Sequence, residues 1–159
     1  MPQYFYSLTG DLKFKNFDFS ILFQGVNKWQ SLQNGIGVWE TNFDGVYGSL
    51  HKKAWTIERY EANEEITSPA LSVNESSNHQ NSDYYLYDKS YLRLKNLEIG
   101  YTIPINITKS TSTQKLRIFI NGQNLLTFDK MKSADFGPEG SYAAIPVYRV
   151  YNIGVSLDF

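Results

Sequence analysis

The final stretch of the chain, Tyr148 to Phe159, alternates strictly between apolar and polar positions. Tyr151, Ile153, Val155, Leu157 and Phe159 fall on one side of an extended strand, and Asn152, Gly154, Ser156 and Asp158 fall on the other, because strand side chains repeat every two residues. A tilted transmembrane β-strand of about ten residues produces this pattern, with its apolar side to lipid. A soluble antiparallel sheet with one buried face produces it too. This strand alone leaves both readings open.

The same period opens the chain. Tyr4, Tyr6, Leu8, Leu12 and Phe14 share one face, against Ser7, Thr9, Asp11 and Lys13. Lys15-Asn16 then reads as a short turn, after which Phe17, Phe19, Ile21 and Phe23 resume the apolar face against Asp18, Ser20 and Gln24. This pair predicts a hairpin with a two- or three-residue connection. From about Val26 to Lys89 the pattern dissolves into Gly, Asn, Ser, Glu and scattered Trp, and it hides no further alternating run. It returns with Leu97, Ile99, Tyr101 and Ile103 opposite Asn96, Glu98, Gly100 and Thr102, until Pro104 removes a backbone donor. Leu116, Ile118 and Ile120 begin another strand, with Arg117, Asn121 and Gln123 opposite and Phe119 as an exception. The expectation is an all-β, antiparallel chain of about five strands, near 3–14, 17–26, 91–103, 115–128 and 148–159, with a long loop over about 27–89.

Short links thus alternate with long ones. An outer-membrane barrel has tight periplasmic turns at one end and long extracellular loops at the other, a segregation that a soluble sandwich has no reason to show. The links near Lys15 and Lys109 are then periplasmic, and those over 26–89 and 129–146 extracellular. Five strands cannot close a barrel. In lipid, each open edge leaves about ten backbone groups unpaired at several kcal/mol apiece, so the sheet is expected to be part of something larger.

Composition narrows the partners. The 159 residues are 42% hydrophobic and include 12 Tyr and 10 Phe, a tyrosine excess that suits sheets and interfacial girdles. Net charge is −1 and there is no basic block, which argues against nucleic acid. There is no cysteine, hence no disulfide framework or thiolate metal site. No run of roughly 18 apolar residues marks a transmembrane helix, and Met1 to Gly10 lacks the basic and apolar regions of an export signal.

Candidate chemistry is sparse. His51 and His79 are the two histidines, and neither has a second ligand at metal spacing; both read as surface residues of the loop. Asp129, Asp135 and Glu139 lack calcium-loop spacing and read as solvated carboxylates. Asn34-Gly35-Ile36-Gly37 does not link a strand to a helix, so it is no phosphate cradle. No catalytic residue, cofactor or metal is assigned. Trp29, Trp39, Trp55, Tyr84, Tyr85 and Tyr87 stand out in the loop. Aromatic faces stack on sugars and loops meet ligands, so these six are candidate contacts for substrate or partner, with packing of the loop itself as the alternative.

Several strings resemble a known family. Lys15-Asn16-Phe17-Asp18-Phe19-Ser20, Phe23-Gln24-Gly25, Ser90-Tyr91-Leu92-Arg93-Leu94-Lys95-Asn96 with Gly100-Tyr101-Thr102-Ile103-Pro104, and Gly122-Gln123-Asn124-Leu125-Leu126-Thr127-Phe128 are similar, in order, to the closing strands of SusC/RagA-type TonB-linked outer-membrane proteins. The resemblance implies a barrel of about 22 strands in a Gram-negative outer membrane, closed by a plug. It also implies TonB-driven import of glycans or peptides, with a SusD-like surface lipoprotein as partner. The signal peptide, plug and TonB-contacting segment have no counterpart in these residues. It further implies that Phe159 is the terminal aromatic read by the barrel assembly machinery. A small self-contained barrel and a soluble sugar-binding β-sandwich are the alternatives, and neither these nor the resemblance identifies the nutrient.

Overall fold

The computed structural model describes residues 1–40, 47–74, 76–104, 115–131, 136–140 and 144–158. Among these described residues seven strands follow in chain order: β1 (Tyr4–Phe14), β2 (Phe17–Asn27), β3 (Gln30–Leu32), β4 (Leu86–Asp88), β5 (Tyr91–Ile103), β6 (Lys115–Asp129) and β7 (Val150–Asp158). The chain divides into a sheet unit (4–27, 91–128 and 147–159) and a loop unit (1–3, 28–90 and 129–146).

The sheet unit is five strands in the order β1-β2-β5-β6-β7, with β1 and β2, β2 and β5, and β6 and β7 paired antiparallel. The fold class is the one the alternation predicts. β1 and β2 pair from Tyr4↔Asn27 to Phe14↔Phe17, so the hairpin turn is Lys15-Asn16, with Lys15 at φ 54°. Pairing puts like faces together: Leu12, Phe19 and Ile99 align, as do Ile120 and Ile153. That face stays open, since Tyr151, Ile153 and Val155 are 69%, 76% and 60% exposed. In a β-sandwich these residues would be buried against a second sheet.

One bulge keeps the apolar face continuous. Leu22 pairs with Asn96 but Phe23 pairs with Leu94, which leaves Lys95 as the extra residue. Leu92 and Leu94 are out of phase with Leu97, Ile99 and Tyr101 in the sequence. The bulge returns them to the side that Phe23 and Gly25 occupy. A second irregularity is Asn124, at φ 54°, a left-handed conformation that Asn tolerates better than most residues. Its side-chain amide donates to Tyr148 O at 3.1 Å.

The stretch that reads as one long loop is a folded body with its own core. β3 and β4 pair antiparallel, Gln30↔Asp88 to Leu32↔Leu86, and tie its two ends together. Val38, Tyr85, Tyr87 and Phe136 form the core, with Trp39, Tyr84 and Met131 packed on it. Its described residues also hold three 3-10 turns (Ser49–Lys53, Ser77–His79, Asp83–Tyr85) and a short helix, α1 (Ile57–Glu61). Periodicity missed this body because aromatics scattered over a hundred residues build its core. A self-contained barrel would need three more long strands from this region; among the described residues it supplies only the three-residue pair β3 and β4.

The two faces make a direct expectation. In the intact parent barrel, Ile153→Arg costs roughly 2 to 4 kcal/mol if it lies near the bilayer midplane, whereas Asn152→Arg on the other face costs much less. Denaturant unfolding in lipid measures both; equal costs contradict the assignment.

Candidate functional site

The polar face of the sheet is laced together by side chains that cross strands. Arg117 on β6 reaches Asp18 on β2 in a two-pronged ion pair, with Nε donating to Oδ1 at 3.0 Å. The same guanidinium donates to Glu98 Oε1 on β5 at 2.7 Å. Glu98 Oε2 accepts from Asn121 at 3.3 Å, and Asn121 Oδ1 accepts from Asn152 on β7 at 2.9 Å. The network therefore spans four strands. Gly100 makes room for it: a Cβ there would strike the Arg117 guanidinium and the Asp18 carboxylate. Phe119, the exception in the alternation, points to this face and lies over Gly154, where a Cβ would collide with its ring. Its ring centroid is 4.9 Å from the Arg117 guanidinium carbon, a cation–π geometry.

In the loop unit the predicted aromatics have different fates. Tyr87 (1% exposed) and Tyr85 (5%) are core residues. Tyr85 donates to Asn78 O at 2.5 Å, and burial, with the Glu40 charge, pushes its pKa up to about 12. Trp39 meets Tyr85 edge-on at 5.9 Å, and Tyr84 does so at 4.9 Å. The Tyr84 hydroxyl donates to Thr67 O at 2.7 Å. Trp29 lies under the Lys89 ammonium, 5.1 Å from its ring centroid. Lys89 is buried, donates to Gly140 O at 2.7 Å, and is held below the ordinary lysine pKa by that burial. Trp55 alone of the six is exposed, at 42%. A cleft of about 550 Å³ is lined by Ser49, Leu50, Lys53, Thr67, Tyr84 and Tyr87, so two of the six aromatics meet at one concave surface. Of the two, Tyr87 is buried, so the cleft offers a solute the half-buried Tyr84 ring, the Ser49 and Thr67 side chains and the Lys53 cation.

The two histidines are not surface residues. His51 and His79 are each 7% exposed, beside Glu40 at 5%. The Gly48 N–H donates to His51 Nδ1 at 2.9 Å, and the Ser76 N–H donates to His79 Nδ1 at 3.1 Å. With Nδ1 accepting, the proton of each neutral ring sits on Nε2. His51 Nε2 faces Val38 O at 3.1 Å and Glu40 Oε2 at 4.0 Å. His79 Nε2 lies 3.1 Å from Glu40 Oε1, off the line of an ideal hydrogen bond. Glu40 Oε1 also accepts the Ser72 N–H at 2.8 Å. One buried carboxylate therefore gathers three segments of the loop unit. Sequence reasoning missed it because a lone Glu in a stretch without periodicity gives no signal. Among the described residues no group of three His, Cys, Asp or Glu is placed to hold a metal ion.

Asp129 Oδ1 accepts the Met131 N–H at 3.0 Å and so caps its own strand end. Asn34-Gly35-Ile36-Gly37 forms a tight turn, with Val38 and Trp39 both donating to Gly35 O at 3.1 Å. Phe159, Asp135 and residues 105–114 lie outside the described residues.

A sheet with one apolar and largely open face and one cross-linked polar face has the pattern of a transmembrane β-barrel wall. The chain is 32% identical to TonB-dependent receptor P3 of Formosa agariphila over 99% of its own length and 15% of that receptor's. It is 24% identical to TonB-dependent receptor P26 of the same organism, over 89% of the chain and 14% of the receptor. Among solved structures it is similar to the RagAB peptide importer in the open-open state, with a TM-score of 0.73 and 24% identity over 100% of this chain and 17% of that one. It is also similar to the RagAB peptide transporter, with a TM-score of 0.66 and 25% identity over 91% and 16%. No family model matches. These likenesses support a fragment of a TonB-dependent receptor of the SusC/RagA type, and the chain spans about a seventh of the length of the curated relatives it matches.

The Glu40 cluster generates an acid-sensitivity. Burial pushes its carboxyl up, but the Ser72 N–H and the His79 imidazole outweigh this and hold it below the ordinary carboxylate range. A depressed folded-state pKa contributes stability that is full above the unfolded value, about 4.3, and lost as pH falls through the folded value. Protection of the Ser72 amide against hydrogen exchange, corrected for intrinsic rate, should therefore be complete at pH 7 and fall below about pH 4. Glu40→Gln should lower it at pH 7 by about 1 to 3 kcal/mol and remove its acid dependence. Equal protection at both pH values contradicts this account.

Proposed function

We propose that the chain supplies a stretch of barrel wall and a folded outer-surface loop body to an outer-membrane importer of oligosaccharides or peptides. The import is driven by TonB through parts of the receptor beyond these residues, with a SusD-like surface lipoprotein as partner. The observation that carries the reading is the two-faced sheet, apolar and open on one side and joined from Asp18 to Asn152 on the other. The kinship with TonB-dependent receptors supports it, as does the fold shared with a protein described as a peptide importer. The curated relatives are receptors rather than enzymes, and the chain's own chemistry is positional: it holds a wall in lipid and presents a cleft.

On this reading Lys53 and Tyr84, in the cleft, contact the incoming oligomer. In the full-length receptor, Lys53→Ala and Tyr84→Ala should each cut uptake of the growth-supporting oligosaccharide or peptide by about tenfold, the consequence of roughly 1.4 kcal/mol. The amount of receptor in the outer membrane should stay normal. Uptake at the parent rate with both residues removed would rule the cleft out. Accumulation of the receptor in a soluble fraction would rule out the wall.

A further inference from the structure

The turn that carries Ser49, Leu50 and Lys53 to the cleft is closed by a histidine. The Gly48 N–H donates to His51 Nδ1 at 2.9 Å, and the His51 N–H donates back to Gly48 O at 3.2 Å. The ring therefore caps the Ser49–Lys53 turn from its third residue. His79 does the same for Ser77–His79, with the Ser76 N–H on its Nδ1 at 3.1 Å. Each cap needs a bare Nδ1, because an accepting nitrogen must keep its lone pair.

A proton that enters either ring must take that lone pair. The charge it brings has a partner within the body, since Glu40 Oε2 stands 4.0 Å from His51 Nε2 and Glu40 Oε1 3.1 Å from His79 Nε2. Lys52 and Lys53 share the His51 turn. The Tyr47 ring meets His51 edge-on at 5.9 Å, and Tyr84 and Tyr85 line one small polar cavity with Glu40 and His51. Burial holds the Tyr84 and Tyr85 phenols above their ordinary range, so neither titrates with the rings. An imidazolium can thus stay buried beside its carboxylate. Its new Nδ1–H, however, points at a backbone N–H, donor against donor.

At this point the two histidines differ. Ser76 Oγ lies 3.4 Å from His79 Nδ1 and can accept the added hydrogen. Gly48 has no side chain to offer. His51 must then give up the Gly48 N–H, and the turn it caps supplies Ser49, Leu50 and Lys53 to the cleft lining.

We propose that His51 is a proton-operated latch on the cleft: protonation at Nδ1 releases the Gly48 cap and frees the Ser49–Lys53 wall, whereas the His79 turn stays closed. The proposal rests on the import reading for the use of the cleft and adds regulation by pH to it.

The test is residue-resolved hydrogen exchange of the full-length receptor in bilayer discs, corrected for intrinsic rate, at about pH 8 and about pH 5. Glu40, held below the ordinary carboxylate range, keeps its charge at both points. Protection of the Gly48 amide should fall by about tenfold at the lower pH, the weight of one hydrogen bond, with Ser76 unchanged. A nitroxide at position 50 of the same receptor should gain mobility over the same interval. His51→Asn keeps an acceptor oxygen in the place of Nδ1 and binds no proton, so it should hold Gly48 protection and label mobility level at both pH values. Equal Gly48 protection at the two pH values, a parallel fall at Ser76, or an acid response that survives in His51→Asn would overturn the proposal. Uptake by the Lys53→Ala and Tyr84→Ala receptors decides the use of the cleft separately, so failure of the latch is distinguishable from failure of the import reading.

Discussion

Every strand of the sheet must serve two media at once, and a side-chain period of two is what allows it. In lipid a backbone N–H or C=O has no water to fall back on, so the ladder must be continuous. Once it is, neighbouring residues have no choice of side. The registers from Phe14↔Phe17 to Phe17↔Tyr101, and of Ile120↔Ile153, fix which residues share the apolar side within β1, β2 and β5 and within β6 and β7. A slip of one residue would exchange the faces, which is why the Lys95 bulge matters. It absorbs the one-residue mismatch in β5 and keeps Leu92 and Leu94 level with the rest.

The polar face meets a different requirement, since its part-exposed charges are matched across strands rather than left to repel one another. Arg117 satisfies two carboxylates, Asp18 and Glu98, from a position between them. It can do so only because Gly100 puts no side chain in its way. The glycine of the Gly100-Tyr101-Thr102-Ile103-Pro104 string therefore has a physical reason in this chain, and Gly154 has a parallel one beneath Phe119. Large side chains laid over small ones also brace strands that the ladder alone joins edge to edge.

The sheet was largely legible in the sequence and the loop body was not, because one is periodic and the other is assembled. Tyr151, Ile153 and Val155 declare their face by spacing alone. Val38, Tyr85, Tyr87 and Phe136 declare nothing until the chain brings them together. His51 and His79 read as surface residues because the group that buries them, Glu40, lies 11 and 39 positions away and belongs to no motif. Likewise Phe119 broke the pattern for a reason that sits on another strand. The six loop aromatics divide between core and surface along the same line: Tyr85 and Tyr87 fill the body and Trp55 stands outside it.

The claim on which all of this rests is that the apolar face meets lipid and the polar face meets water. Nitroxide labels placed singly from residue 150 to 157 in the full-length receptor, reconstituted in a bilayer, read both media at once. The account predicts high collision rates with dissolved oxygen at 151, 153, 155 and 157 and with a water-soluble nickel complex at 152, 154 and 156, the two profiles alternating in opposite phase. Profiles that rise and fall together, or that show no period of two, would contradict it.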